Sequence, residues 1–297
     1  MSLVVTGATG HLGRLVVEEL LARGVPADQI VATGRDLDKA RDLADRGVVL
    51  RRADYDDRAS LDAAFAGAEK LLLVSGSEVG RRIPQHRNAV EAARDAGVRL
   101  LAYTSIVRAD SAKMALATEH RATEELIRAS GVPFTFLRNA WYLELYLDQI
   151  PGALERGALV GAAGDGVISA ALRRDFAAAA AAVLTGDGHE GAVYELGGEG
   201  FTMADLAAEI TAASGTEVAY RDLPPDELRT VLSDAGLPPA AVDMIVDNDL
   251  AVARGELHVT TGDLARLLGR APTTTAEAVA DAVKAAVAGS PPSGSGR

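Results

Sequence analysis

Eight residues, Thr6-Gly7-Ala8-Thr9-Gly10-His11-Leu12-Gly13, constrain the fold of this chain more than any other segment. Apolar residues 3–6 lead into them with the look of a short buried strand. Leu12, Leu15, Val16, Leu20 and Leu21 then fall on one helical face, and Gly24 stops the helix. The glycines are spaced Gly-x-x-Gly-x-x-Gly. In a strand–turn–helix unit, Gly7 permits the tight turn, Gly10 lets main chain approach a pyrophosphate and Gly13 lets the helix lie close to the strand. The amides that open the helix then face the phosphates. A loop of the nucleotide-triphosphatase type is excluded, because no Gly-Lys-Ser/Thr follows. The spacing predicts a dinucleotide site built from residues 7–13, against the alternative of a glycine-rich turn without a ligand.

The rest of the first half repeats the same rhythm. Strands are expected at 30–33, 48–50, 70–75, 99–104 and 133–137, with helices at 37–46, 85–96 and 115–130 between them. Near-continuous apolar strands alternating with helices specify a parallel sheet covered on both faces. The expected fold is therefore α/β, a Rossmann-type doubly wound parallel sheet with a smaller α/β C-terminal lobe. After Asn139 the pattern changes, and Trp141, Tyr142 and Tyr146 crowd into one segment of a chain with only 4% aromatics. Residues 157–166 read as a loop, Asp175 as the cap of an Ala-rich helix over 176–184, 193–196 as a strand and 202–214 as a helix. Helices are expected beyond Pro224. The boundaries follow: 1–138 is the nucleotide-binding domain, with the Ala-rich helix 175–185 packed on it; 139–288 is mainly a substrate-binding lobe; 289–297 is a disordered tail.

The end of the second strand discriminates between nicotinamide cofactors, since an acidic residue there pairs with a ribose 2′-hydroxyl and an arginine accepts a 2′-phosphate. Here the strand ends Thr33-Gly34-Arg35. The Arg35 guanidinium either binds the phosphate bidentately or stacks on adenine, and NADPH is favoured over NADH. Asp54-Tyr55, after the third strand, is either a contact to the adenine edge or a simple turn capped by Asp54.

Composition removes other chemistries. Thirty Lys plus Arg against 42 Asp plus Glu leave a formal charge of −12, which opposes capture by nucleic acid or an anionic membrane. Without cysteine there is no disulfide, thiolate nucleophile or zinc–sulfur site. The five histidines are scattered, and His189-Glu190 lacks the second histidine of a zinc-protease motif, with Val193 in its place. No metal is expected. With neither a secretory signal nor a membrane span in evidence, the expected location is the cytoplasm.

The motifs taken together resemble the atypical short-chain dehydrogenases of the NmrA-like group. Ser75-Gly76-Ser77-Glu78-Val79-Gly80, Pro84-Gln85-His86-Arg87-Asn88, Ala102-Tyr103-Thr104-Ser105, Glu119-His120 and Leu137-Arg138-Asn139-Ala140-Trp141-Tyr142 are similar to those of type 2 NAD(P)H:quinone oxidoreductases. So are the stretches 161–166, 191–196 and 272–275. Triphenylmethane-dye reductases form a sister group. The resemblance implies about six parallel strands. It also implies cofactor contacts from Gly7, Ala8, Thr9, Gly10, His11, Leu12, Gly13, Arg35, Ser75, Gly76, Ser77, Thr104, Asn139, Ala140, Trp141, Tyr142 and Arg173. Gly76 stands where a serine is common in relatives, which removes a hydroxyl and leaves the main chain accessible.

The Tyr-x-x-x-Lys pair of most short-chain dehydrogenases is absent: Val107 follows Tyr103 at that spacing, and Tyr146 follows Tyr142. That counts against alcohol–ketone interconversion. A quinone needs less help, because hydride addition yields a phenolate-like anion whose conjugate acid has a pKa of about 10. Water can supply that proton. The expected activity is direct hydride transfer from NADPH to a quinone-like acceptor, with Trp141 and Tyr142 offering a flat ring a stacking surface or simply packing in the core. His120 is either a donor to a quinone oxygen or a capping or surface residue. Ser105 follows a strand end and shapes the pocket. The expected partner is a small aromatic acceptor, with a homodimer as the expected assembly. Two other readings stay open: an NmrA-like NADP(H)-binding redox sensor without turnover, and a reductase of another conjugated acceptor such as a cationic dye.

Overall fold

The structure, a computed structural model, describes residues 2–289. Among the described residues nine strands run in chain order: β1 (Leu3–Val5), β2 (Ile30–Gly34), β3 (Val49–Arg52), β4 (Lys70–Leu73), β5 (Leu100–Ile106), β6 (Phe134–Asn139), β7 (Ala158–Gly161), β8 (Val193–Leu196) and β9 (Ala219–Asp222). The chain divides into two compact units. Among the described residues, the first comprises 2–139, 173–196 and 261–271; the second comprises 140–172, 197–260 and 272–289.

The first unit is a seven-stranded sheet in the order β3-β2-β1-β4-β5-β6-β8, with every pairing parallel. The seventh strand, β8, extends the sheet past the six that the resemblance implies. The strand order reverses at β1, whose neighbours are β2 and β4, so the crevice beyond the carboxyl ends of β1 and β4 is the place where a doubly wound sheet takes its ligand. β1, β2, β4 and β5 are buried along their whole length, as strands covered on both faces must be. One layer of the core joins Val4, Leu71, Leu101, Tyr103 and Phe136 of the strands to Leu61, Phe65, Val90 and Ile127 of the helices.

Two expectations in this unit need correction. The helix expected over 37–46 is a 3₁₀ turn, Leu37–Ala40, followed by a short helix, Arg41–Asp45, because Asp36 caps the Asp38 amide and starts a tight turn. Asp175 is not the cap of the Ala-rich helix, which begins two residues earlier and spans Arg173–Thr185; the Asp175 carboxylate is fully buried and accepts from Arg270 Nη2 at 2.7 Å. The alanines of this helix pack mainly against the helix His11–Ala22, so their small size serves helix–helix contact as well as contact to the sheet.

In the second unit, β7 and β9 pair in parallel, so the stretch 157–166 expected as a loop contains a strand. Ala162, Leu228 and Val246 form a core cluster against Val160, Leu223, Leu232 and Leu250. The helix Met203–Ser214 starts on a capping box between Thr202 and Asp205. The helix Thr275–Gly289 takes in the first position of the expected tail, and the remainder, 290–297, lies outside the described residues. Among the described residues no helix is long and apolar enough to cross a membrane.

Candidate cofactor site

The glycine loop has the geometry its spacing predicts. Gly7 adopts a left-handed φ of +60°. A Cβ on Gly13 would lie 2.4 Å from the Gly7 carbonyl oxygen and 2.8 Å from that of Thr6, so only glycine lets the helix lie this close to the turn. A Cβ on Gly10 would meet the Gly7 carbonyl oxygen at 3.3 Å and nothing else nearby, and Gly10 and His11 are exposed. The helix therefore opens onto accessible space. Its first backbone bond runs from Arg14 N to Gly10 O, and the amides ahead of it face out of the helix end. That arrangement fits a pyrophosphate. Ala8 N donates to Thr33 O, and a Cβ on Gly34 would strike the Thr9 side chain at 2.6 Å, so Gly34 lets the loop lie over the end of β2.

Five further loops reach the same edge of the sheet. Arg35 follows β2; its side chain is 64% exposed, and its Nη1 donates to Glu78 Oε1 at 3.0 Å. Asp54 and Tyr55 follow β3. The Asp54 carboxylate accepts from the Asp56 amide at 3.1 Å, which is turn capping. The Tyr55 hydroxyl donates to Val74 O and receives the Thr6 hydroxyl, both at 2.6 Å, while Thr6 Oγ1 accepts from Val74 N. Tyr55 thus ties the end of β1 to the end of β4 from within, and burial raises its pKa. Thr104, two residues before the end of β5, accepts from Ser75 N at 2.9 Å and donates to the Ser75 hydroxyl. Asn139 closes β6; its side-chain oxygen is buried and has no hydrogen-bond partner among the described residues. Arg173 is half-buried and opens the helix Arg173–Thr185.

The segment after β4 is fixed from behind by side chains whose roles sequence reasoning did not find. His86 Nε2 accepts from Gly76 N at 3.0 Å, so its proton is on Nδ1, which donates to Thr123 Oγ1 at 2.9 Å; that hydroxyl in turn donates to Glu119 O. Arg82 Nε donates to Gly76 O, Arg82 Nη1 donates to Glu119 Oε2 at 3.3 Å, and Glu119 Oε1 accepts from Gly80 N at 2.9 Å. Arg82 and Glu119 form a buried ion pair. Of these side chains only His86 and Glu119 fall in motifs quoted for the resemblance, 84–88 and 119–120, and Arg82 and Thr123 fall in none.

Burial, with the Arg82 charge beside it, pushes the His86 pKa down to about 3. The unfolded chain takes up a proton near pH 6.5 that the folded chain refuses. Stability is therefore complete above about pH 6.5 and falls toward pH 3, by about 1.4 kcal/mol per pH unit for this group. His86→Gln keeps an acceptor for Gly76 but does not titrate. Urea denaturation at several pH values should show a shallower loss between pH 6.5 and 4 in the variant; an identical slope would mean that His86 does not carry the proton linkage.

His120 and Tyr103 lie in the core. Tyr103 is fully buried, and its hydroxyl is hydrogen-bonded to His120 Nδ1 at 2.7 Å. Burial first, then Arg82 and His86, hold His120 well below its usual pKa and keep it neutral. Ser105 is also turned inward: its hydroxyl donates to Glu124 Oε1 at 2.7 Å, in a buried network where Glu124 holds Arg138 through both guanidinium arms. Ser105 belongs to that network instead of shaping a pocket.

Ala140, Trp141 and Tyr142 belong to the second unit. There the main chain of 141–143 runs alongside Ala171: Trp141 O accepts from Ala171 N at 3.1 Å and Leu143 N donates to Ala171 O at 2.9 Å. The Trp141 and Tyr142 side chains are both half-buried. In the same unit the stretch 161–166 is held by Asp249, Tyr220 and Asp222, which accept from the amides of Ala162, Ala163 and Gly164.

The sheet order, the glycine turn and the open helix end define a dinucleotide-binding protein of the doubly wound class. The chain belongs to the NAD(P)H-binding family, which matches residues 7–187. It is 49% identical over 278 residues to quinone oxidoreductase 2 of Escherichia coli, a match covering 93% of this chain and 97% of that one. An NADPH-dependent quinone oxidoreductase from Escherichia coli, solved in complex with NADPH, superposes with a TM-score of 0.92 at 48% identity, over 94% of this chain and 99% of the other. The triphenylmethane reductase of Citrobacter, solved with NADP(H), gives a TM-score of 0.91 at 41% identity, over 95% and 100%. The resemblance read from the motifs is borne out by these matches.

Proposed function

We propose that this protein is an NADPH-dependent quinone oxidoreductase. The observation that carries the reading is the 49% identity to a quinone oxidoreductase across 93% of the chain. The residues at the sheet edge suit the cofactor. The amides of 11–13 bind the pyrophosphate, Arg35 binds the 2′-phosphate, and the main chain of Ser75, Gly76 and Ser77 lines the path toward the nicotinamide. The buried Asn139 oxygen, which has no partner among the described residues, would help hold the cofactor by accepting a hydrogen bond from it. Bound there, the reduced nicotinamide supplies a hydride to the acceptor ring. The protein positions and desolvates; no tyrosine acid is required, and the fully buried Tyr103, hydrogen-bonded to His120, is not available as one. Tyr142 and Trp141 offer the acceptor its stacking surface.

Stopped-flow mixing of the NADPH-loaded protein with a panel of benzo- and naphthoquinones tests this. NADPH is expected to be oxidised well above the uncatalysed rate. Tyr142→Ala is expected to lower kcat/KM for the quinone roughly tenfold while changing NADPH affinity far less. Tight NADPH binding without oxidation by any quinone would replace the enzyme with a redox sensor, and turnover confined to cationic dyes would make it a dye reductase.

A further inference from the structure

Arg35 has a second positive neighbour, and one carboxylate lies between them. Glu78 Oε1 accepts from Arg35 Nη1 at 3.0 Å, and Glu78 Oε2 accepts from Arg81 Nη1 at 3.1 Å. Arg81 Nη2 donates to Asp56 Oδ1 at 3.0 Å. Gln85 Nε2 bridges the other oxygen of Asp56, at 3.1 Å, and Glu78 Oε2, at 3.5 Å. Both guanidiniums are mostly exposed, at 64% and 59%, so the pairs add little to folding stability. The backbone beneath them is not free to move, because Arg82, His86 and Glu119 clamp Gly76 and Gly80.

A carboxylate and a phosphate present the same kind of anionic oxygens to a guanidinium. Two arginines converging on one carboxylate therefore have the geometry of a phosphate site that already holds an anion. Arg35, Arg81, Glu78 and Asp56 sum to zero charge, so a phosphate dianion approaching the intact quartet meets no net attraction. With Glu78 turned aside, it meets two guanidiniums.

We propose that Glu78 is an internal counter-anion that the cofactor's 2′-phosphate displaces, that Arg81 joins Arg35 as a phosphate ligand, and that Glu78 thereby sets the discrimination between 2′-phosphorylated and 2′-hydroxyl adenine dinucleotides. The proposal rests on the NADPH reading. Because the main chain is clamped, the exchange is a rotation of the Glu78 side chain, and displacing an exposed pair costs little. The residue lowers affinity for the phosphorylated cofactor while keeping the two arginines apart from other anions.

The adenosine ends of the two cofactors, 2′,5′-ADP and 5′-AMP, isolate the effect from the nicotinamide. Their dissociation constants are to be measured by calorimetry for wild type, Glu78→Gln, Arg81→Ala and Glu78→Gln in an Arg35→Ala/Arg81→Ala background. Glu78→Gln should tighten 2′,5′-ADP roughly fivefold to tenfold at low salt and leave 5′-AMP unchanged. The gain should shrink as salt screens the charges. Arg81→Ala should weaken 2′,5′-ADP alone, and Glu78→Gln should do nothing once both arginines are gone. An unchanged or weaker 2′,5′-ADP in Glu78→Gln, or an equal gain for 5′-AMP, overturns the proposal and leaves the NADPH reading intact. A wild-type protein that binds 2′,5′-ADP no better than 5′-AMP overturns both.

Discussion

Gly10→Val is expected to give a folded protein that has lost NADPH, with affinity down by at least about a hundredfold, whereas Gly13→Val is expected not to reach the native fold. The two glycines stand three residues apart and are indistinguishable by residue type, but they face different surroundings. Beyond Gly10 a new Cβ meets only the Gly7 carbonyl oxygen, at 3.3 Å, which a small shift relieves. The valine then fills the space where a pyrophosphate must approach the helix amides. At Gly13 the Cβ would sit 2.4 Å from the Gly7 carbonyl oxygen and 2.7 Å from its carbon. Both are backbone atoms of the turn and cannot rotate away, so the helix His11–Ala22 must leave its seat beside β1. Circular-dichroism melting and a fluorescence titration with NADPH separate the two effects. Intact NADPH affinity in a folded Gly10→Val protein would remove the phosphate cradle from the amides of 11–13.

Arg82→Met is expected to cost about 3–5 kcal/mol of unfolding free energy, because it leaves the Glu119 carboxylate buried without its counter-charge. It also removes the donor to Gly76 O, so the segment 75–80 loosens and cofactor affinity falls as well. Replacing both partners, Arg82→Met with Glu119→Leu, should recover much of the stability, since no lone charge then remains. It should not recover the affinity, because Gly80 N loses its acceptor. Urea denaturation and NADPH titration on the single and double variants read the two quantities. A loss below about 1 kcal/mol in Arg82→Met would show that the pair does not hold this loop.

The parts of the fold legible in the sequence are those whose cause is local. The turn at Gly7, the close seat at Gly13 and the apolar runs that became β1, β2, β4 and β5 all follow from steric freedom or hydrophobic pattern within a few residues. β7 was hidden because its only apolar residues, Ala158–Val160, sit between Gly157 and Gly161 and acquire strand character only by pairing with β9, about sixty residues later. Asp175 looked like a cap because an acidic residue before an apolar run usually is one. Its actual partner is Arg270, which the chain brings back to the first unit in the segment 261–271.

The sequence by itself determined a doubly wound sheet, a glycine turn at the amino end of its first helix and an arginine after its second strand, because helix period, strand alternation and glycine's missing Cβ act at short range. Which charged side chains would be buried, and against what, only the tertiary structure decided. Arg81 and Arg82 are adjacent and chemically identical, yet one is mostly exposed against Glu78 and Asp56 while the other is buried against Glu119. The difference arises because neighbouring residues face opposite environments once the helix Arg82–Asp95 packs against the helix Ala115–Ser130. Likewise Arg35 meets Glu78, 43 residues later, because the sheet places β1 between β2 and β4 and so brings the loops that follow them to one edge. Such pairings depend on strand order, a property of the whole sheet that no window of sequence contains.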